Sequence, residues 1–135
     1  MVICAEMFVE LLKSKELRYD VHELDDGTCF VRFPYQGRVT TLMFSGDDNG
    51  IHVGLRTVFE QCPPEKVPDL LVICNSLNVQ FRWLKFCIDN DNNIMVEDDA
   101  ILNPETAGDE CFELLVRTIQ IMDEVKPTIM RGIFL

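Results

Sequence analysis

The stretch TCFVRFPYQGRVTTLMFSGDDNGIHVGLRTVFEQ, residues 28–61, decides the fold. It breaks into three short runs, Thr28 to Tyr35, Arg38 to Ser45 and Ile51 to Gln61, each alternating between apolar and polar positions. A period of two belongs to a strand with one buried face. Cys29, Val31, Phe33 and Tyr35 share a face, as do Ile51, Val53, Leu55 and Phe59, which leaves Arg32, His52 and Arg56 on the opposite side. Gln36-Gly37 and Asn49-Gly50 separate the runs, and Asp26-Gly27 sets off a fourth, Tyr19 to Asp25, before them. Asp26-Gly27 and Asn49-Gly50 can adopt the positive φ angles of tight hairpins, and Gln36-Gly37 can do so at its Gly. An antiparallel meander of four strands follows, with one core face and one more polar face.

Outward from the meander the period changes. Ile3, Met7 and Leu11, with Cys4, Phe8 and Leu12, recur at helical spacing and predict a first helix over Ile3 to Leu17. Pro63-Pro64 ends the fourth strand, and Pro68 suits the first turn of a second helix running to Val79, because a missing N–H costs nothing there. Arg82 to Asp89, a polar turn at Asn90 to Asn93, and Ile94 to Val96 predict a second hairpin. Pro104, Glu105, Asp109 and Glu110 mark the start of a third helix, negative charge there complementing the exposed N–H groups. Pro127 is expected to stop it after Val125. The fold class is therefore α+β, an antiparallel sheet with helices packed on it in the order α-β-β-β-β-α-β-β-α. The whole chain, 1–135, is expected to form one domain, with roughly two-thirds of the unfolded surface buried.

Composition narrows the partners. With 23 Asp and Glu against 12 Lys and Arg, the formal net charge is −11, which repels phosphate backbones and anionic lipid surfaces. Neither nucleic acid nor membrane is an expected partner. The six cysteines form no Cys-x-x-Cys pair and have no neighbouring His, so no metal or other cofactor is predicted. Most lie in apolar stretches, where reduced thiols act as small hydrophobes, the habit of intracellular proteins. Glu6 and Glu10 spoil the N-terminus as a signal peptide, and no apolar run approaches the ~20 residues that span a bilayer. A cytoplasmic location is the expectation.

Several groups invite a chemical reading. Asn75 and Asn78, three apart on the second helix, are placed to bind a ligand or, more simply, to hold an adjacent loop. Asp89 to Asn93 matches the first positions of a calcium loop, yet Ile94 replaces the required Gly and Ala100 the bidentate Glu. Glu97-Asp98-Asp99 and Asp47-Asp48 read as solvated carboxylates near hairpin ends. His22 and His52 lie on strands without a nucleophile at diagnostic spacing, so no catalytic residue is assigned. On the third helix Phe112, Leu115, Val116, Ile119 and Met122 form one apolar stripe and Cys111, Leu114, Ile121 and Val125 a second. That width implies a second buried contact, supplied either by the first helix or the apolar tail Ile129 to Leu135, or by a second copy in a homodimer.

Two stretches carry a family likeness. Leu70-Leu71-Val72-Ile73-Cys74-Asn75-Ser76-Leu77-Asn78, followed by Arg82-Trp83-Leu84-Lys85-Phe86-Cys87-Ile88-Asp89, resembles the YbjN family, in which an Asn-x-x-Asn helix end precedes a hairpin with an acidic turn. The resemblance implies a type III secretion chaperone-like fold and a role as a bacterial sensory-transduction regulator, with no agreed catalytic residues to carry over. The Cys-rich strands and the apolar tail depart from that pattern. The leading expectation is a non-enzymatic protein-interaction module, chaperone-like or regulatory, whose partner is a protein, with homodimer formation as one form of it. The alternative is a small-molecule or cation-binding sensor, or a cryptic enzyme, with a pocket between helices and sheet using Arg32, His52, Arg56 or Asn75.

Overall fold

A computed structural model describes all residues, Met1–Leu135. The elements are α1 (Ile3–Ser14), β1 (Asp20–Glu23), β2 (Cys29–Tyr35), β3 (Arg38–Phe44), β4 (His52–Gln61), α2 (Val67–Gln80), β5 (Lys85–Ile88), β6 (Asn93–Ile101) and α3 (Ala107–Phe134), with a 3-10 turn at Pro64–Lys66 leading into α2. All six strands form one antiparallel sheet in the order β1-β2-β3-β4-β6-β5. Asn49 and Gly50 take positive φ (62° and 80°) as expected; Gln36 joins Gly37 there (49° and 77°), although only the glycine is expected to, and at Asp26-Gly27 only Gly27 does (91°). The predicted meander and second hairpin are present. Sequence spacing did not indicate that the hairpin docks its long strand, β6, against β4.

The helices cover one face of the sheet. The apolar sets of the strands, Cys29, Val31 and Phe33, Leu42 and Phe44, Val53 and Leu55, Ile94 and Val96, are all buried beneath them. Two clusters make up the interior. One joins α1, the meander and the first half of α3; the other joins α2, β5, β6, Phe59 and the second half of α3. α1 contributes Cys4, Phe8 and Leu12 to the first, and its backbone comes so close to α3 that a Cβ on Gly108 would lie 2.9 Å from the Met7 carbonyl oxygen. Only glycine permits that approach.

α3 departs from expectation in two ways. It runs for 28 residues, about 42 Å at 1.5 Å per residue, straight through Pro127. Proline in a helix interior removes one hydrogen bond and costs about 3 kcal/mol. The two turns beyond it bury Ile129 and Ile133 in the second cluster, each worth about 1.5–3 kcal/mol, so packing outweighs the local penalty. The apolar tail is thus the end of α3 itself. The second departure concerns the two stripes, which merge into one buried line of Ala107, Cys111, Leu115, Thr118, Met122, Val125, Ile129 and Ile133. α1 and α2 cover this line from within the chain. Cys111 and Val125, expected at a partner contact, are interior residues, while Leu114 and Ile121 are half-buried.

β6 is also longer than expected. Glu97, Asp98 and Asp99 lie inside it rather than at a hairpin end, because β4 gives them cross-strand partners: Arg56 stands opposite Glu97, Leu55 opposite Asp98 and Gly54 opposite Asp99. β5 is shorter, pairing with only four residues of β6, Ile94 to Glu97.

Candidate functional site

No helix lies over the second face of the sheet. Alternation puts Arg32, Thr41, Arg56, Glu97 and Lys85 there, and the registers set them in one row with Asp20, crossing all six strands as Asp20, Arg32, Thr41, Arg56, Glu97, Lys85. Opposite charges adjoin at both ends of the row. Arg32 lies 3.7 Å from Asp20, Arg56 3.4 Å from Glu97, and Lys85 3.0 Å from Glu97. The hydrogen bond and charge of Glu97 raise the Lys85 ammonium pKa above its ordinary value. Arg56 also donates to the Leu55 and Asp98 carbonyl oxygens and pairs with Asp99 at 3.2 Å. This pair folds over Gly54, where a Cβ would meet Asp99 Oδ1 at 3.0 Å.

Apolar side chains flank this charged row on both sides. Val39 and Val58, each about half exposed, lie on one side with Met95 and Cys87; Phe30, Met43 and Ile101 lie on the other, Ile101 being 73% exposed. Met43, Ser45, His52, Gly54, Asp99 and Ile101 line an open depression of about 410 Å³. The His52 imidazole pairs with Asp48, which holds that carboxyl below the usual range.

The two borders of the sheet near β5 are built differently. Phe86 turns its backbone N–H and C=O away from β6, and Asn78 of α2 meets both: Nδ2 donates to the Phe86 carbonyl (3.0 Å) and Oδ1 accepts from the Phe86 N–H (2.7 Å). A side-chain amide thus takes the place of a neighbouring strand. Further along, β6 outruns β5, and Asp99 and Ile101 direct backbone groups into a gap with no strand beside it. On the helix side of this gap Trp83, Ala100, Leu102, Glu110, Glu113, Leu114 and Arg117 enclose a cleft of about 230 Å³. Arg117 lies 5.4 Å above the Trp83 ring and donates to Glu113 Oε1 from Nε and Nη2. Asp98 Oδ1 accepts the Asp99 N–H, while Oδ2 is buried with no hydrogen-bond partner, and loss of hydration raises the carboxyl pKa.

The residues singled out from sequence are therefore not brought together. Arg32, His52 and Arg56 share the uncovered face, each with its own carboxylate, whereas Asn75 is exposed on α2, on the other side of the sheet. No pocket between helices and sheet joins them, which corrects that expectation. Asp89 is committed to its turn: its carboxylate accepts from the Asp91 and Asn93 N–H groups and from Asn93 Nδ2, and these bonds lower its pKa. All six cysteines are free thiols, and burial raises the pKa of Cys74 to about 11. No group of three or more His, Cys, Asp or Glu stands close enough to share a metal ion. No helix is long and apolar enough to cross a membrane. Sequence reasoning did not single out Trp83, Leu114 as a cleft wall, or the bare end of β6; the exposed tryptophan was the one visible signal.

A helix-backed antiparallel sheet with one open face defines the class, the type III secretion chaperone-like α+β fold. One chain of the crystal structure of the ExsC–ExsE complex is similar, with a TM-score of 0.60 and 14% identity over 92% of this chain and 91% of that one. One chain of the HopA1–SchA chaperone–effector complex is similar at a TM-score of 0.54, with 14% identity over 90% of this chain and 94% of the other. The search of curated proteins finds no match. The chain belongs to the YbjN family, described as "Putative bacterial sensory transduction regulator", whose model matches residues 5–130.

Proposed function

We propose that this chain is a non-enzymatic protein-binding module, chaperone-like or regulatory, that receives a partner protein on the uncovered face of its sheet. The observation that carries the proposal is the exposed set Val39, Met43, Val58 and Ile101 beside a row of charges already paired within the chain. Apolar surface of this kind gains by being covered, and the paired row supplies register without leaving a buried charge unmatched. The structural similarity to complexes of a chaperone with its effector supports the same reading. A photoreactive amino acid at Met43 or Val58 is expected to capture a partner in the source cell, while one at Lys13, exposed on α1, is not. Val58→Glu should weaken the capture about tenfold. Equal capture from Lys13 and Met43 is the result that defeats the proposal.

A specific observation supports homodimer formation as a second reading. α2 exposes Leu71, Val72 and Val79, together with Asn75 and Ser76, and Asp69 is its only charged residue. For two copies of net charge −11, this helix offers a meeting surface on which few carboxylates face each other. Sedimentation of the native chain is expected to give a dimer mass and the double variant Val72→Glu, Val79→Glu a monomer. A monomer for the native chain rules this contact out.

A further inference from the structure

We propose that the bare end of β6 is a strand-docking notch for an extended, basic segment of a partner protein, with one long side chain entering the Trp83 cleft. The inference rests on the protein-binding reading above and specifies a separate place and chemistry for it.

Three observations converge there. The first is backbone geometry. In the β5–β6 ladder, Glu97 and Met95 are the residues that bond across to β5, so Asp99 and Ile101 direct their peptide groups the same way, beyond the point where β5 begins. An added strand in line with β5 would pair with the Asp99 carbonyl and with both peptide groups of Ile101.

The second is the cavity on either side. Successive side chains of a strand point to opposite faces. On one face they meet the depression lined by Met43, Gly54 and Ile101, and on the other the cleft walled by Trp83, Ala100, Leu102 and Leu114. The two hollows meet at Ala100, which lines both, with Asp99 and Ile101 lining the depression and Leu102 the cleft. The helix-side cleft, about 230 Å³, has room for one long side chain.

The third is charge. Glu110 and Glu113 line the helix-side cleft, and Asp99 lines the depression on the other face. Arg117, in the cleft, gives both its hydrogen bonds to Glu113 Oε1, and Arg56 pairs with Asp99. Asp98 Oδ2, buried without a hydrogen-bond partner, is an acceptor awaiting a donor. A lysine or arginine in the cleft would lay its alkyl stem on Trp83 and Leu114 and bring its cationic head to Glu110 and Glu113. An acidic side chain in the cleft would meet like charges at Glu110 and Glu113.

Trp83 is the only tryptophan in the chain, so its fluorescence reports occupancy of the cleft. The native protein is titrated with three synthetic octapeptides: alternating valine and lysine, alternating valine and glutamate, and the lysine peptide with two central prolines, which cannot pair as a strand. The lysine peptide is expected to shift the Trp83 emission saturably, and the other two to leave it unchanged at millimolar concentration. Leu114→Arg, at a half-buried position, should weaken the lysine peptide about tenfold, and Glu113→Gln roughly two- to fivefold. Circular dichroism checks that both variants fold, and Leu114→Gln serves as a second test of the wall. No emission change with the lysine peptide, equal binding of the lysine and glutamate peptides, or binding indifferent to both Leu114 variants overturns the notch. Peptide binding sensitive to Val58→Glu but not to Leu114 substitution also overturns it, while leaving the uncovered face as the binding surface.

Discussion

The two ends of β6 sit in one strand and meet opposite fates. Between Ile94 and Glu97 the strand is roofed by β5, and β5 is closed in turn by the Asn78 amide on Phe86. Between Asp98 and Ile101 the strand has no such neighbour, and its edge faces a cleft instead. Unpaired edges invite pairing with foreign strands, and proteins usually block them. Here the same chain seals one stretch with a side chain placed for both donor and acceptor, then leaves the adjoining stretch open. The difference separates an edge that serves stability from one available for recognition.

The largest effect is expected where the sealed end meets the core. Phe86→Ala removes a buried ring from the second cluster and should cost about 3–5 kcal/mol in chemical denaturation, with β5 lost from the sheet. Asn78→Ala tests the seal itself. Losing both hydrogen bonds to Phe86 should cost about 1–2 kcal/mol and speed amide exchange at Phe86, while exchange at Ile101, in the bare stretch, stays as it was. If the two amides respond alike, the contrast between the ends fails. Glu97→Gln, at the junction, breaks the pairs with Arg56 and Lys85 and should lower the melting temperature by about 2 °C, with the difference vanishing in high salt.

The smallest change has the opposite sign. Burial raises the Asp98 carboxyl pKa above its unfolded value, so the folded state binds the proton more tightly. Stability is then greatest with the group protonated and falls as pH rises from the ordinary carboxylate range through the raised folded value. Asp98→Asn is therefore expected to melt slightly higher than the native chain at neutral pH, with the gap closing below about pH 4. A gap that widens on acidification would mean that the buried oxygen has a partner after all.

Much of this architecture was legible because local chemistry and packing agree. The Gln36-Gly37 and Asn49-Gly50 turns, the two-residue alternation of Cys29 to Tyr35 and the Asn-x-x-Asn end of α2 all led to elements found in place. Where tertiary contacts overrode a local signal, sequence reading fell short. Pro127 reads as a stop because its lost hydrogen bond is local, whereas the burial of Ile129 and Ile133 that outweighs it depends on where α2 lies. Glu97 and Asp99 read as solvated turn carboxylates because Arg56, which pairs with both, stands some forty positions earlier in the chain. The site was less legible than the fold for the same reason. An edge exists only once the strand order is known, and nothing in the spacing of residues puts β6 between β4 and β5.

α3 links both hydrophobic clusters, with Thr118 buried between them and its hydroxyl bonded back to the Leu114 carbonyl at 2.8 Å. One continuous helix thus supplies a wall to each cluster, so heat should melt the two as one cooperative unit. The notch lies at this waist. A segment bound there at a hundred times its dissociation constant would add about 2.7 kcal/mol to the stability of the whole chain, so the melting curve itself becomes a gauge of occupancy.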